Sequence, residues 1–552
     1  MASSNRGWNY GRFARKGMLT LSIGVCSMGL FGLTTTGCRI SEDDVEGWAR
    51  KASGPRKLVA VLQHDKYDLE LRVDAGMTLV TMAPRGGRAV GLVGDDKFKG
   101  LLEGFVEMSA EERAPIINGM VPLLEEGILF VPKGDEADTS FAHKDAAFAL
   151  LTHESQGLVT DPESKKRLKT ALTAWCQENF ETRLDDTTQL FGMEQVLRFV
   201  RAPGVRGLTP LIKSDFKKIR TLAKLIAEIG DDATKLDASK KLVSVAKHVD
   251  SDAWIKQKAP GVEAANKASG LTVKKKQFEK QLEAYQAEEL LRMFGAMKSI
   301  GQKPIVDYLL GYAQDTKNPE DKRAAALAGL EGHLDRKNPA HAKAMLDFLS
   351  NDDTPDPIRD VAARRVGELS REQVAERLYG LFGNKRWQLR WTVASLLLKM
   401  SEAKDMDEFM GKLGKIKNMA ISEPFSYGQL FNEVKDAKPK ELAQKFSQKN
   451  YPAPVRLTAL GYYYENGYKS DVPALEAFKS DRQRVPSCPK DALQCAWDCS
   501  VADKDPTKPG TLKAVKTVGD FVEYCLLPIV SEREPPKEKK ATKAAPPTKA
   551  KK

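Results

Sequence analysis

Six histidines, His64, His143, His153, His248, His333 and His341, are all that the 552-residue chain offers for imidazole chemistry. None is spaced as His-x-x-x-His or His-Glu-x-x-His, so a zinc hydrolase has no ligand set. A phosphate-cradling loop, a Gly-x-Gly-x-x-Gly and a Gly-x-Ser-x-Gly are likewise missing from the sequence. His153-Glu154-Ser155 sets three reactive residue types side by side, but they fall where a predicted helix ends, and a solvated cap accounts for them. The acidic pairs Asp43-Asp44, Asp185-Asp186, Asp231-Asp232 and Asp352-Asp353 fall at loops and helix starts. Carboxylates there stabilise the positive end of a helix by a few tenths to about 1 kcal/mol, which is sufficient reason for them. The residue types predict a protein that is not an enzyme and that needs no cofactor and no metal.

The cysteines carry more. Of the seven, Cys26 and Cys38 lie in the N-terminal segment, and four others, Cys488, Cys495, Cys499 and Cys525, crowd together near the other end. Clustering of this kind reads as two disulfides formed in an oxidising compartment, with three pairings open. Cys495 and Cys499 are spaced i, i+4, so on a helix predicted for Lys490–Ala502 both thiols leave one face. Each would then reach outward, one to Cys488 and one to Cys525. A zinc site competes, but the 6, 3 and 25 intervening residues do not match two-to-four-residue knuckles. Cys176 sits at helical spacing with Leu168, Ala171, Leu172 and Trp175 and reads as a buried core thiol.

Arginines recur with a period. Five segments share Arg-x-x-Ala/Val followed four residues later by Leu, Val or an aromatic: Arg72 with Ala75 and Leu79, Arg323 with Ala326 and Leu330, Arg359 with Ala362 and Val366, Arg390 with Val393 and Leu397, and Arg456 with Ala459 and Tyr463. An apolar residue, Leu71, Ile358, Leu389 or Val455, precedes the arginine in four of them. From Arg323 onward the spacings are 36, 31 and 66 residues, a period near 33 with one drifted unit between Arg390 and Arg456. A fixed period of this length is the mark of stacked helix pairs. Asp356-Pro357-Ile358-Arg359-Asp360-Val361-Ala362 resembles the second half of a HEAT repeat, including the proline that starts the helix without loss because its missing N–H would have had no partner. The resemblance covers Pro319 to Gly467 and one further copy near Arg72. It implies an all-α fold, an α-solenoid of HEAT-like helix pairs, closed by a disulfide-linked helical C-terminal cap. It also implies a structural role for the arginines, each pairing with an acidic or carbonyl group of the adjacent repeat to form a ladder; a row of anion-binding arginines is the functional alternative.

The elements that must position these residues read as helices: Pro55–His64, Lys97–Met108, Glu111–Glu126, Phe141–His153, Lys165–Asn179, Phe216–Ile229 and Ser239–Val249. Strand-like alternation is nearly missing, and Pro84 with Gly86-Gly87 interrupts any helix running through. Ala259 to Gly270 is small and polar, a candidate junction. After it, Phe278, Leu282, Tyr285, Leu290, Met293, Phe294 and Met297 mark one face of a long amphipathic helix, read as a core helix joining two arrays. The expected organisation is 1–37 a leader, 38–258 an N-terminal helical array, 259–300 the junction and long helix, 301–480 the repeats, 481–531 the Cys-rich cap and 532–552 a Lys/Pro/Ala tail that cannot bury a core.

Charge and the N-terminus bear on location. Of the net +12, residues 1–37 hold +4 through Arg6, Arg12, Arg15 and Lys16, and residues 532–552 hold +5, which leaves +3 for the body. That is no basic face for phosphates in register, and nucleic acid is not an expected partner. From Gly17 to Gly37 no residue is charged, the layout of a secretory signal. Thr36-Gly37-Cys38 resembles the lipobox of bacterial lipoproteins, which implies lipidation of Cys38, membrane attachment through that lipid, and an outer-membrane location facing the periplasm or the surface, because Arg39 is not the inner-membrane retention Asp. Thr35 departs from the Leu usual at that place. The function read from these features is a lipid-anchored envelope scaffold binding a protein partner through its repeat surface, with Trp387, Trp391, Tyr462, Tyr463 and Tyr464 as candidate anchors. The alternatives are a module binding anionic cell-wall glycan through the tail, and a helical-toroid enzyme without a recognisable motif.

Overall fold

A computed structural model of the chain describes residues 40–82, 91–95, 97–488, 496–501 and 510–535. Cys38 and the leader, the Pro84–Gly87 turn, Cys495 and the tail beyond 535 therefore lie outside the described residues. Two compact units divide at Pro304 and Ile305.

The first unit is helical throughout its described part. Gly54–Gln63 starts on a proline and buries Leu58, Val59, Val61 and Leu62. It packs on Leu69–Thr81, which packs on Ala110–Ile128, which in turn meets Ser140–Thr152 and Pro162–Arg183. N-caps do the local work: Asp68, Ser109, Asp161, Asp231 and Ser251 each accept a backbone N–H of the first turn, as short polar side chains at that position do. The acids Asp231-Asp232 belong to this set, and the cap bonds from Thr234 and the Arg206 guanidinium hold the Asp231 carboxyl down at about 2. Most predicted helices appear with boundaries moved by a few residues, while Lys97–Met108 contracts to Leu101–Val106.

Ala259–Gly270 is not a loop. The helix Asp252–Ala268 runs through it with Pro260 inside, and a turn leads to Lys275–Ile300. Alanine-rich sequence favours helix intrinsically, and the helix continues through Pro260 although an interior proline costs about 3 kcal/mol or more. Lys275–Ile300 buries Leu282, Leu290, Met293, Phe294 and Met297 against Ile219–Ile229 and Asp232–Val249.

In the second unit the repeat helices follow the arginine period. Glu320–Gly329 packs on Asp356–Val366, with Pro339–Ser350 lying against the latter; Arg371–Gly380 packs on Trp387–Met400. The drifted unit is real structure: Ser422–Gln429 lies between Trp387–Met400 and Ala453–Asn466. Its contact with Ala453–Asn466 is backbone to backbone. A Cβ on Gly428 would stand 2.3 Å from the Tyr462 nitrogen, and one on Gly461 would stand 2.2 Å from the Pro424 carbonyl oxygen. Only glycine permits that approach.

The C-terminal cap is disulfide-linked as expected, with Cys499 joined to Cys525, but it carries strand where helix was predicted. Asp498–Val501 is a strand, paired antiparallel with Thr511–Ala514 in the register Cys499 to Lys513, so the helix predicted for Lys490–Ala502 is absent over its described end. The i, i+4 reasoning for Cys495 and Cys499 fails with it. Cys499 bonds Cys525, Cys488 is also disulfide-bonded, and Cys176 is free and buried. From Val518 to Val530 the chain is helical with a wider π-type turn at Val522–Leu526. The cap also seats on the drifted unit: Phe521 stacks on Phe425 at 5.1 Å, and the Trp497 indole donates to the Met419 carbonyl.

The Cys499–Cys525 bond closes a loop spanning 26 residues, so replacing both cysteines by serine is expected to destabilise the second unit by about 3 to 4 kcal/mol. Denaturant unfolding compared with the parent checks this; an unchanged midpoint would mean that the ring contacts alone hold the cap.

Candidate functional site

Each of the five periodic arginines is the fourth residue of its helix: Leu69–Thr81, Glu320–Gly329, Asp356–Val366, Trp387–Met400 and Ala453–Asn466. Helical side chains lean toward their own N-terminus, so an arginine there reaches back over the connecting turn to the end of the preceding helix. Arg72 Nε donates to the Leu62 carbonyl at 2.9 Å, Arg323 Nε to Ala313 at 2.8 Å, Arg359 Nη2 to Asn351 at 3.0 Å, Arg390 Nη1 to Asn384 at 2.7 Å and Arg456 Nε to Ser447 at 2.9 Å. Every acceptor lies at or just past the C-terminal end of the first helix of the same pair, where unsatisfied carbonyls and the negative end of the dipole favour a cation. The ladder inferred from the sequence is thus corrected in its partners: the common rung is a carbonyl within the pair, not a group of the adjacent repeat.

Two arginines reach further. Arg390, 2% exposed, makes a fork to Glu423, Nε to Oε1 at 2.8 Å and Nη2 to Oε2 at 2.5 Å. Glu423 also accepts from the Ala420 N–H and the Tyr427 hydroxyl. Burial, then the Glu423 charge, hold the Tyr427 phenol well above its ordinary 10.0, so it stays a donor. Glu423 carries no arginine motif and escaped the sequence reading; its distance of 33 residues from Arg390, one period, is the signal that finds it. Arg456, 1% exposed, pairs with Asp481 and donates to Gln483 Oε1 at 2.6 Å, tying the last repeat to the start of the cap. Arg390 and Arg456 thus spend their donors on carboxylates, a side-chain amide and carbonyls of the fold.

Other chemistry-bearing groups are scattered. His64 and His248 are exposed beside Asp65 and Gln257. His341 Nδ1 accepts from the Asp335 N–H, and His153 follows the end of Ser140–Thr152, with Glu154 and Ser155 at positive φ. His143 is buried, with Nδ1 on the Thr139 carbonyl, and burial lowers it below 6.5. Its ring lies against Gly127, where a Cβ would come within 2.3 Å. Among the described residues, no group of three or more His, Cys, Asp or Glu gathers to hold a metal ion.

Two clusters of titratable groups do form in the first unit. On Ser140–Thr152, Lys144 is wholly buried, with Nζ on Asp145 and the Phe191 carbonyl and 5.1 Å from the Trp175 ring centre. Burial pulls its ammonium below the ordinary 10.5 against the opposing pull of Asp145, and pushes the neighbouring Cys176 thiol up to about 12. Asp145 also accepts the N–H groups of Leu190 and Phe191. In the second cluster Asp215, held at φ 65°, accepts from Lys258 and the Tyr285 hydroxyl and donates its N–H to the buried Glu289 at 2.8 Å. Glu289, raised above 4.5 by burial, meets Arg292 at 2.8 Å. Both clusters are ties: each pins a connecting segment, 190–191 or 215, to helices through polar atoms that are already engaged. A buried, half-satisfied network would be costly; the Lys144 and Asp145 polar atoms are hydrogen-bonded within the fold, and Glu289 Oε2, which has no hydrogen bond, faces the Arg292 charge. Neither was legible in the sequence, because nothing in a polar residue within an apolar helix says which segment it meets.

Of the candidate surface aromatics, Trp387 and Trp391 are 40% and 41% exposed. Tyr462 and Tyr463 are buried, and Tyr464 packs on Phe425 at 4.4 Å.

No protein-family model matches the chain, and no curated protein matches it. Among solved structures it is similar to a crystal structure of a Kap121p mutant, at 13% identity, over 79% of this chain and 43% of that one, with a TM-score of 0.28. The chain thus spans less than half the length of that protein. At so low a score the helical-repeat fold rests on the helix pairing and arginine register described above.

Arg323 caps only a carbonyl, whereas Arg390 also neutralises a buried carboxylate, so the two should differ on truncation. Arg323→Met is expected to cost about 1.5 to 3 kcal/mol, and Arg390→Met about 3 to 5. Adding Glu423→Gln to Arg390→Met should recover part of the loss by removing the stranded charge. Equal losses for the two single variants in urea unfolding would show that the carboxylate does not set Arg390 apart.

Proposed function

We propose that the chain is a lipid-anchored envelope scaffold, without catalytic activity, that binds a protein partner through the exposed faces of its repeat helices. The observation that carries the binding part is the pair Trp387 and Trp391. They lie one turn apart on a helix whose other face, Leu389, Arg390, Val393, Ala394 and Leu397, is buried. Tryptophan is ordinarily buried, and two of them presented on one face of a packed helix supply the large, low-entropy contact area that dominates protein interfaces. The non-catalytic part is supported by the titratable clusters, whose polar atoms are committed to holding segments in place. Attachment through Cys38 and an oxidising location are supported by the lipobox-like Thr36-Gly37-Cys38 and by the Cys499–Cys525 bond, since such bonds persist outside reducing compartments. Placement at the outer membrane follows from Arg39 in that pattern.

Two measurements test this. Photo-crosslinking from Gln388, beside both indoles, should capture one dominant partner from the envelope, and Trp387→Ala/Trp391→Ala should weaken that partner's binding at least about a hundredfold with an unchanged unfolding midpoint, as for a pair of anchors. Binding untouched by the double variant would move the interface elsewhere. Intact mass of membrane-extracted protein is expected to begin at an acylated Cys38; a full-length, unacylated species with free thiols would remove the anchor and the envelope together.

A further inference from the structure

The distal part of the hairpin formed by Asp252–Ala268 and Lys275–Ile300 stands clear of the rest of its unit. From Lys267 to Lys280 every residue is exposed except the half-buried Val273 and Phe278, and Lys275–Ile300 buries no side chain before Leu282. It is nevertheless a defined element. Asn266 and Gln281 exchange two side-chain amide bonds at 2.8 and 3.2 Å across the seam, and Trp254 packs on Tyr285 at 5.3 Å, so the two helices are held in one register.

The tip is cationic without internal compensation. Lys267, Lys274, Lys275, Lys276 and Lys280 face a single acid, Glu279, a local charge of +4, and none of these six forms an ion pair among the described residues. Three of the lysines open a helix with no acid in its first turn, a placement that the helix dipole disfavours. The fold alone therefore gains nothing from them. At the apex between the helices Leu271 is 59% exposed.

We propose that this tip, residues 267–280, docks on an anionic lipid surface, with the ammonium groups meeting headgroup phosphates and Leu271 entering the interface. Three features select that occupant. The tip is convex, which suits a flat surface and not a peptide, which needs a groove. Its cations are all lysine, point charges on flexible stems suited to a diffuse field, where recognition of one phosphate or carboxylate in fixed geometry favours the arginine fork. An exposed leucine among lysines is the side-chain pairing of interfacial segments, where apolar burial and charge attraction add. The inference goes beyond the scaffold reading and does not need it, since the hairpin belongs to the first unit and the tryptophan pair to the second; nor does it need a lipid on Cys38.

The test uses the full chain with Cys38→Ser and vesicles of phosphatidylcholine alone or mixed equally with phosphatidylglycerol. Preferential partition into the anionic vesicles is expected to fall about a hundredfold in Lys274→Gln/Lys275→Gln/Lys276→Gln, each lysine being worth a factor of about five, with unchanged circular dichroism. Lys240→Gln/Lys241→Gln, equally exposed on the body, should leave it nearly unchanged. Leu271→Ser should weaken binding without altering its salt dependence, and hydrogen exchange should slow at 267–280 on anionic vesicles only. The same variants in a chain ending at Pro535 separate this contribution from that of the lysine-rich tail. A triple variant that partitions like the parent, exchange protection located elsewhere, or tip-dependent binding to polyglutamate and not to the anionic vesicles would each overturn the proposal. Loss of the partner crosslink at Gln388 with lipid binding intact would instead count against the scaffold reading alone.

Discussion

A helix that ends inside a packed array leaves its last carbonyls without an intrahelical partner, and each that is buried needs another donor. In this protein the same answer recurs: an arginine in the first turn of the second helix leans back and donates to the end of the first. The distances of 2.7 to 3.0 Å are uniform although the connecting turns differ, with acceptors between six and ten residues upstream. A long side chain absorbs that variation, where a backbone cap would not. The position is also electrostatically two-sided. A cation disfavoured at the start of its own helix is favoured at the end of another, so the arginine stabilises the pair and not either helix alone, and pairing becomes part of what makes each helix stable.

From that constraint the second unit follows in order. Arg390 and Arg456 have donors to spare after capping, and each takes a carboxylate from the next segment, Glu423 or Asp481. Both pairs are almost wholly removed from water, with side-chain exposures of 3% and 1% for Arg390 and Glu423 and of 1% and 6% for Arg456 and Asp481. A buried pair is a weak source of net stability but a strong penalty on any arrangement that separates it. It therefore fixes which segments lie together, while the apolar seam supplies the stabilisation. The glycine contact of Gly428 with Gly461, the stacked Phe521 and Phe425, and the Cys499–Cys525 bond then close the end of the array, where a repeat lacking a neighbour would otherwise fray.

The first unit uses charge differently. Its buried lysine and its Asp215 network secure connecting segments to helices, and its exposed lysines gather at the tip of one hairpin. Charge that is internal and paired holds shape, whereas the charge at the tip is external and uncompensated within the fold. The tryptophan pair of the second unit is the apolar counterpart, large rings left at the surface although buried positions, Leu389 and Arg390, lie between them.

The sequence by itself determined the helical class, the period and the five arginines, because a repeated pattern samples the same local environment several times and leaves the same residues in it. It also showed the crowding of cysteines and the partition of charge between body and ends, both of which are composition read along a line. Tertiary structure decided what those residues touch. It made caps within pairs the common rung and kept an acidic partner one period away for Arg390 alone, turned the end of a predicted Lys490–Ala502 helix into the strand Asp498–Val501, and carried Asp252–Ala268 as helix through a stretch read as a junction. It alone exposed the Glu423 partner, the Lys144 and Asp215 ties and the bare hairpin tip. The reason is common to all of them: local propensity is a sum over neighbours in sequence, whereas a polar group's partner and a lysine's isolation depend on what folding brings near and what it leaves out.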